Sequence, residues 1–132
     1  MKPRPVDLHG ARDARGVADA IVRTRRAESA ALSTAFASRR MQELHDFRIA
    51  CKRLRYAMER FCKRCPEFEE PAARLAEIQD ALGEAHDRDV LLAILPPTMP
   101  ETERALQDQR EDLIDRAAEL WASLVATDRR FS

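Results

Sequence analysis

Glycine and aromatic residues are scarce in this chain of 132 residues. It contains three glycines, and Phe, Tyr and Trp together make up 5% of it. Because β-strands favour β-branched and aromatic residues and need frequent turns, this composition argues against a sheet. Ala, Leu, Arg and Glu dominate instead, and these residues favour helices. The sequence therefore predicts an all-α protein.

Long apolar runs and a paired set of cysteines are also missing. No apolar stretch reaches the roughly 18 residues of a membrane-spanning helix. The first five residues are not followed by the apolar segment of a secretion signal. The cysteines number three, and an odd count does not suit a disulfide framework. These absences predict a protein of the reducing cytoplasm that does not contact a membrane.

The net charge of zero hides a strong asymmetry along the chain. Residues 1–65 hold 16 Lys and Arg against 7 Asp and Glu, whereas residues 66–132 hold 7 against 16. Of the 23 basic residues, 20 are Arg, whose planar guanidinium forms paired hydrogen bonds to phosphate and carboxylate. The first half therefore suits an anionic partner, although Arg-rich codon usage or neutralisation between the two halves would explain the same pattern.

Prolines divide the chain into predicted helices. One break lies at Pro66 and Pro71, and a second lies at residues 96–100. A third is expected near residues 36–40, with Ser38 as the N-cap, because an unbroken helix over 17–65 would span about 73 Å. After a flexible tail over residues 1–11, the predicted helices cover about 12–36, 39–65, 71–95 and 101–128.

Each predicted helix carries apolar residues at helical spacing. On the second helix these are Leu44, Phe47, Cys51, Leu54, Met58 and Phe61. The first helix is expected to pack through Ala14, Val17, Ile21, Leu32 and Phe36. Since short connections favour antiparallel neighbours, the sequence predicts one antiparallel four-helix bundle over residues 12–132.

A row of cations lies beside the apolar side of the second helix. Its members are three or four residues apart, which places them on one side of the helix over about 15 Å. We call this row the basic stripe; it consists of His45, Arg48, Lys52 and Arg55. Like charges at this spacing repel one another by roughly a few tenths of a kcal/mol per pair. No acidic residue interrupts the stripe before Glu59, and a chain of anions would relieve the repulsion.

Polar residues on the apolar sides of the later helices are further candidates. Gln79, His86 and Asp89 project to the apolar side of the third helix, and Arg110 lies among apolar residues of the fourth. Buried charge is unfavourable unless it is paired. Two interpretations stay open: an Asp89–Arg110 ion pair that fixes the register of the bundle, or a polar anion site between helices.

Other site types receive weaker support. The first helix carries a basic patch that includes Arg23 and Arg26, for which a solvated face is the simpler explanation. His45, His86 and Asp89 are potential metal ligands, but the neighbouring cations oppose a metal and no helix carries a paired-ligand spacing. No glycine-rich phosphate loop or nucleophile–base motif is present. No metal, cofactor or catalytic residue is therefore expected.

Two segments resemble signature motifs of the CHAD domain family, the conserved histidine α-helical domains. Residues 45–59, HDFRIACKRLRYAME, are similar to its first motif, roughly His-x-x-Arg-x-x-x-Lys/Arg-Lys/Arg-Leu-Arg. Residues 75–92, which contain the stretch IQDALGEAHDRDV, are similar to its second motif. The occurrence of both motifs in this order is a specific signal.

The resemblance implies a non-catalytic protein that binds inorganic polyphosphate in a basic cavity built from two four-helix bundles. Matched by position, the polyphosphate contacts would be His45, Arg48, Lys52, Arg53, Arg55 and His86. Asp87 and Asp89 would be structural partners of Arg side chains, with Gln79 a further structural polar residue, and Arg23, Arg26 and Arg110 are additional contact candidates. Because this chain has the length of one bundle, half a CHAD domain, a homodimer that brings two basic stripes face to face is expected, in the cytoplasm or at polyphosphate granules.

Other functions stay open beside this one. A histidine phosphotransfer domain would use His45 with Arg48, although Ile49 occupies a position where those domains favour Gly. A protein-interaction bundle would bind an acidic partner. Polyphosphate hydrolysis would need Asp87 and Asp89 to hold Mg²⁺ together, but they project about 160° apart. The few aromatics provide no series for base stacking, so only non-specific binding of nucleic acid is expected.

Overall fold

The computed structural model describes residues 2–128 and 131, and it contains four long helices joined by short turns. Helix α1 spans Ala14–Leu32, the single turn α2 spans Ala35–Ser38, α3 spans Met41–Phe61, α4 spans Glu69–Ile94 and α5 spans Pro100–Thr127. A 3-10 turn, Pro66–Phe68, precedes α4. No strand occurs in the part of the chain that is described. The all-α prediction is confirmed.

The break between the first two predicted helices lies where it was expected but is built differently. Arg39 adopts the left-handed backbone conformation, with φ of 55°, and this ends α2. The N-cap of α3 is Arg40. The prediction of Ser38 as N-cap is wrong: Ser38 is the last residue of α2, and its hydroxyl donates a hydrogen bond to the carboxylate of Glu43.

Two prolines lie inside helices rather than between them. Pro71 belongs to the first turn of α4, and Pro100 is the first residue of α5. A proline is tolerated there because the first N–H groups of a helix have no acceptor within the helix. The predicted starts of these helices at 71 and 101 are therefore slightly late. At α1, the Asp13 carboxylate accepts the N–H of Gly16 at 2.7 Å and caps the helix.

The core lies where α3, α4 and α5 meet. Aromatic rings join in edge-to-face contacts there, with Phe36–Phe47 ring centroids 4.9 Å apart and Phe47–Trp121 5.1 Å apart. Phe131 packs on the other side of Trp121 at 5.5 Å. The largest fully buried side chains are Phe47, Phe68, Leu54, Met58, Leu75, Ile78, Ile114 and Leu124. The predicted apolar sides of the second and third helices therefore form much of the core.

Helices that follow one another along the chain are neighbours in space: α1 contacts α3, α3 contacts α4, and α4 contacts α5. Arg74, near the start of α4, hydrogen-bonds Ser123 near the end of α5 at 2.6 Å. Arg88, near the end of α4, hydrogen-bonds Gln109 in the first half of α5 at 3.2 Å. Helices α4 and α5 thus run in opposite directions.

Helix α1 is turned relative to its predicted orientation. Its buried positions include Ala18 and Val22, whereas Val17 and Ile21 are only half-buried. The helix also buries Glu28, which is 3% exposed and forms an ion pair with Arg25. The packed face of α1 therefore differs from the apolar pattern by about one residue in its first half, whereas Leu32 and Phe36 pack against the core as predicted.

Candidate functional site

The basic stripe forms a continuous line along α3. Each of its four side chains is exposed or half-exposed, while Leu44, Phe47 and Cys51 on the adjoining side are buried. Within the described residues, the one ion pair that a member makes is Arg55 with Glu59 at 3.5 Å, and half of Glu59 is exposed to solvent. Three of the four stripe residues therefore have no carboxylate partner in the part of the chain that is described.

Arg48 is positioned by helix α4. Its Nε donates a long hydrogen bond of 3.4 Å to the backbone carbonyl of Gln79, whose own side chain is buried. The guanidinium lies directly over Gly83, where an added Cβ would stand 3.2 Å from Nη2. A glycine at position 83 leaves room for this close approach, and a larger side chain there would displace the Arg48 guanidinium. The Arg48 head is thus held in the groove between α3 and α4 while keeping donors free for a ligand.

Two histidines face each other at one end of the groove. The rings of His45 on α3 and His86 on α4 have centroids 6.2 Å apart. They line a narrow cleft together with Arg48, Asp89 and Met41. A neutral imidazole can donate one hydrogen bond and a protonated one can donate two, so the pair adds donors to the Arg48 guanidinium.

Tyr56 lies at the opposite end of the basic stripe. The Lys52 ammonium is 5.6 Å from the centroid of its ring and the Arg55 guanidinium is 5.0 Å from it. The ring is half-exposed, and cation–π attraction at such a site is worth about 0.5–1 kcal/mol. These contacts orient two neighbouring cations along the stripe without neutralising their charge.

Other cations predicted as contacts lie away from the stripe. Arg53 projects toward α1, where it is 3.8 Å from the buried Glu28 carboxylate. Arg26 lies over the ring of Phe131 at 5.9 Å, and Arg23 is exposed on α1. The structure therefore brings His86 to the stripe but places Arg53, Arg23 and Arg26 elsewhere.

Arg110 belongs to an internal network rather than to an open surface. It is 14% exposed, and its Nε donates to the Asp89 carboxylate at 2.5 Å. Its Nη1 donates to Glu111 at 2.8 Å and its Nη2 to the backbone carbonyl of Arg39 at 2.6 Å. Of the two interpretations open from the sequence, the contacts match the internal ion pair, which joins α4 and α5 to the turn before α3.

Arg39 extends this network at the start of α3. Its guanidinium pairs with Asp115 and, at 2.6 Å, with Glu111. The hydrogen bond from Arg39 to Asp115, followed by the one to Glu111, raises the pKa of the Arg39 guanidinium above its ordinary value despite partial burial. Together with Arg110, this residue holds the turn that leads into the basic stripe.

Asp87 and Asp89 lie in different environments on α4. Asp87 is exposed on α4, whereas the Asp89 carboxylate forms an ion pair with Arg110. Among residues 2–128 and 131, no three His, Cys, Asp or Glu side chains lie close enough to hold a metal ion. In the same residues, no helix combines the length and apolar character needed to cross a membrane.

The family model of the CHAD domain matches residues 2–96 of the 132. The chain belongs to the CHAD domain family. CHAD domains are associated with polyphosphate- and triphosphate-related proteins. Comparisons with curated proteins and with solved structures give no significant match.

The CHAD match includes both motifs identified in the sequence, together with α1, α3 and α4. It ends before α5, which nevertheless supplies Ile114, Ala117, Trp121 and Leu124 to the core. The resemblance drawn from the two motifs is therefore confirmed at the level of the family. The basic stripe and both histidines lie within the matched segment, whereas Arg110 lies outside it.

Proposed function

We propose that this CHAD protein binds inorganic polyphosphate without catalysing its turnover. The observation that carries the proposal is the basic stripe: four side chains stacked on one side of α3, of which Arg55 alone pairs with a carboxylate among the described residues. A linear polyanion supplies a negative charge at each phosphate along its length. It therefore matches a line of cations about 15 Å long better than a compact anion does.

The side chains around the stripe fit the chemistry of phosphate. Arg48 has free guanidinium donors, and His45 and His86 add ring donors beside it. Lys52 and Arg55 extend the positive charge to the far end of the helix. Binding of this kind needs positive charge and guanidinium groups that can donate paired hydrogen bonds to phosphate, but no nucleophile or metal. Its affinity should come largely from release of counterions, by analogy with DNA, and should fall steeply with salt.

The wider biological setting follows from this ligand and belongs to the same proposal. A polyphosphate-binding protein would act in the cytoplasm and would be recruited to polyphosphate granules. Family membership supports the ligand class, since CHAD domains are associated with polyphosphate-related proteins.

The direct test is a titration of the purified protein with long-chain polyphosphate at two salt concentrations. Orthophosphate, heparin and DNA at the same phosphate or sulfate concentration serve as competitors. We expect polyphosphate to bind most tightly, with an affinity that drops by at least about tenfold when salt rises fourfold. Equal binding of all polyanions would reduce the stripe to a generic basic surface, and no binding at low salt would refute the proposal.

Gly83→Leu tests whether the placement of Arg48 matters for binding. The new side chain would occupy the space of the Arg48 guanidinium and push it toward solvent. We expect polyphosphate affinity to fall by about tenfold, the value of one charged hydrogen bond. The substitution should not destabilise the helix, because glycine in a helix interior is less favourable than alanine by about 1 kcal/mol.

Gly83→Ala is the matched control for this substitution. Its single methyl group would displace the flexible end of Arg48 by only a few tenths of an ångström. Polyphosphate affinity should therefore stay within about twofold of the wild type. Wild-type affinity in a folded Gly83→Leu protein would show that the contact with α4 does not position Arg48 for the ligand.

A further inference from the structure

A row of anions lies beside the basic stripe, on the next helix. Glu77, Asp80, Glu84 and Asp87 are all exposed and follow one another along α4 at intervals of three, four and three residues. We call these four residues the acidic row. The residues of α4 that contact α3, such as Gly83 and His86, lie immediately beside the row around the helix. On its other side the row approaches α5, since Glu77, Asp80 and Glu84 line a shallow pocket with Arg116. The row therefore lies on the outer side of α4, and the exposed face that carries both rows is formed by α3 and α4.

The two rows have the same spacing and stand at the same level. The intervals in the basic stripe are also three, four and three residues. Because this series is the same from either end, the two rows match even on helices that run in opposite directions. The level is set by contacts within the chain: His45 faces His86, and Arg48 lies over Gly83. These contacts place His45 at the same height along the helix axes as Asp87, and Arg48 at the same height as Glu84, to within about one residue's rise of 1.5 Å.

We infer that this face binds a second copy of the chain about a two-fold axis parallel to α3 and α4. Such an axis lays α3 of each copy over α4 of the other and keeps every residue at its level. Each side chain of the basic stripe then meets an anion of the acidic row, and each contact occurs twice. The four pairs are His45–Asp87, Arg48–Glu84, Lys52–Asp80 and Arg55–Glu77.

Next to the charged rows, the proposed axis also brings exposed apolar side chains of the two copies together. Seven large apolar residues are exposed in the described part of the chain, and five of them lie on α3 or α4. Met41 precedes the basic stripe by four residues, and Leu91 follows the acidic row by four, so the proposed axis brings Met41 onto Leu91. Val90 and Ile94, which is 73% exposed, surround that contact. An exposed apolar group beside complementary charges is typical of an interaction surface.

This arrangement differs from the dimer that the resemblance implied, in which two basic stripes face each other. Two facing rows of cations repel one another unless an anion lies between them, whereas a stripe over an acidic row attracts. Dimerisation and polyphosphate binding would use the same basic stripe and would therefore compete, so dimerisation is tested in the absence of any polyanion. The face spans two helices over about 21 Å of their length, since the pairs run from Met41 to Arg55 on α3. A contact of this size lies at the low end for specific interfaces, so the association should be reversible.

The test is sedimentation equilibrium of the full chain and of two charge-reversed variants. Asp80→Lys/Glu84→Lys makes both rows positive, and Arg48→Glu/Lys52→Glu makes both rows negative. We expect the wild type to form dimers that weaken at least tenfold between about 50 and 500 mM salt. Each variant alone should be monomeric, because every central pair becomes a repulsion. An equimolar mixture of the two should form a heterodimer, because all the central pairs are attractive again.

A third variant distinguishes contacts between the basic stripe and the acidic row from simple attraction between proteins of opposite net charge. Asp112→Lys/Glu119→Lys carries the same net charge as the acidic-row variant, but its changes lie at exposed positions of α5. Mixed with Arg48→Glu/Lys52→Glu, it should associate at least tenfold more weakly than the acidic-row variant does, because one row contact stays repulsive. Equal association in the two mixtures, or a wild type that is monomeric at low salt, would overturn the inference. Circular dichroism and melting curves verify that each variant is folded.

Discussion

Reversal of two charges in the centre of the basic stripe should abolish polyphosphate binding in a protein that stays folded. In Arg48→Glu/Lys52→Glu, two contacts to phosphate are lost and two repulsions replace them. A hydrogen bond to a charged group contributes about 1.5–3 kcal/mol, so the loss of two alone predicts an affinity at least about 100-fold lower. Isothermal titration with long-chain polyphosphate at low salt would measure the change.

The fold should tolerate this double substitution. Lys52 is exposed and Arg48 is half-exposed, and the one protein hydrogen bond that Arg48 makes in the described structure is the long one to Gln79. Substitutions at such positions usually change stability by less than about 0.5 kcal/mol. A melting temperature close to that of the wild type would therefore accompany the loss of binding.

Arg60→Glu/Arg64→Glu is the matched control for charge. It changes the net charge by the same amount, but Arg60 and Arg64 are exposed positions outside the stripe. Only long-range attraction should weaken, by a few-fold, and this part should vanish as salt is added. If both double variants lose the same affinity, the ligand responds to overall charge and the basic stripe is not its binding site.

The features of this site that could be predicted from the sequence are those that depend on residue spacing within one helix. The basic stripe follows from residue spacing on α3, because a regular helix places residues three and four apart on the same side. The buried side of α3 follows from the same periodicity, and Phe47, Cys51 and Leu54 are fully buried as expected. Gly83 could not be assigned in this way, since its role depends on how close α4 comes to the Arg48 side chain.

The features missed from the sequence are those in which a charged residue is buried by tertiary contacts. Periodicity predicts apolar residues at buried positions, so it could not place Glu28 inside with Arg25 and near Arg53. It also could not foresee that Arg39 would adopt the left-handed conformation that ends α2. Both residues have a partner distant in the sequence: Glu28 lies 3.8 Å from Arg53, and Arg39 pairs with Glu111 and Asp115.

Loss of the Arg110 guanidinium should strongly destabilise the bundle. Arg110→Ala removes three hydrogen bonds and leaves the Asp89 carboxylate, which is 15% exposed, without its cation. Removal of one partner from a largely buried pair costs about 3 kcal/mol. That corresponds to a fall of about 10 °C in melting temperature for a domain of this size. Urea denaturation followed by circular dichroism would measure the free energy of unfolding.

Two further variants identify the cause of that loss. Arg104→Ala removes an exposed cation from the same helix and should change stability by less than about 0.5 kcal/mol. Asp89→Leu/Arg110→Leu replaces the pair with apolar residues and should recover most of the stability, since an apolar pair needs no partner for a buried charge. A double variant as unstable as the sum of its single variants would show that the two residues do not act as a pair.

Polyphosphate affinity of the Arg110→Ala protein distinguishes the two roles considered for this residue. As part of the internal pair, Arg110 has its donors occupied by Asp89, Glu111 and the carbonyl of Arg39, so the affinity of the folded protein should stay within about twofold of the wild type. As part of an anion site, its loss would lower the affinity by tenfold or more. Measured well below the melting temperature, an unchanged affinity with lowered stability would assign Arg110 to the register of the bundle and leave ligand binding to the basic stripe.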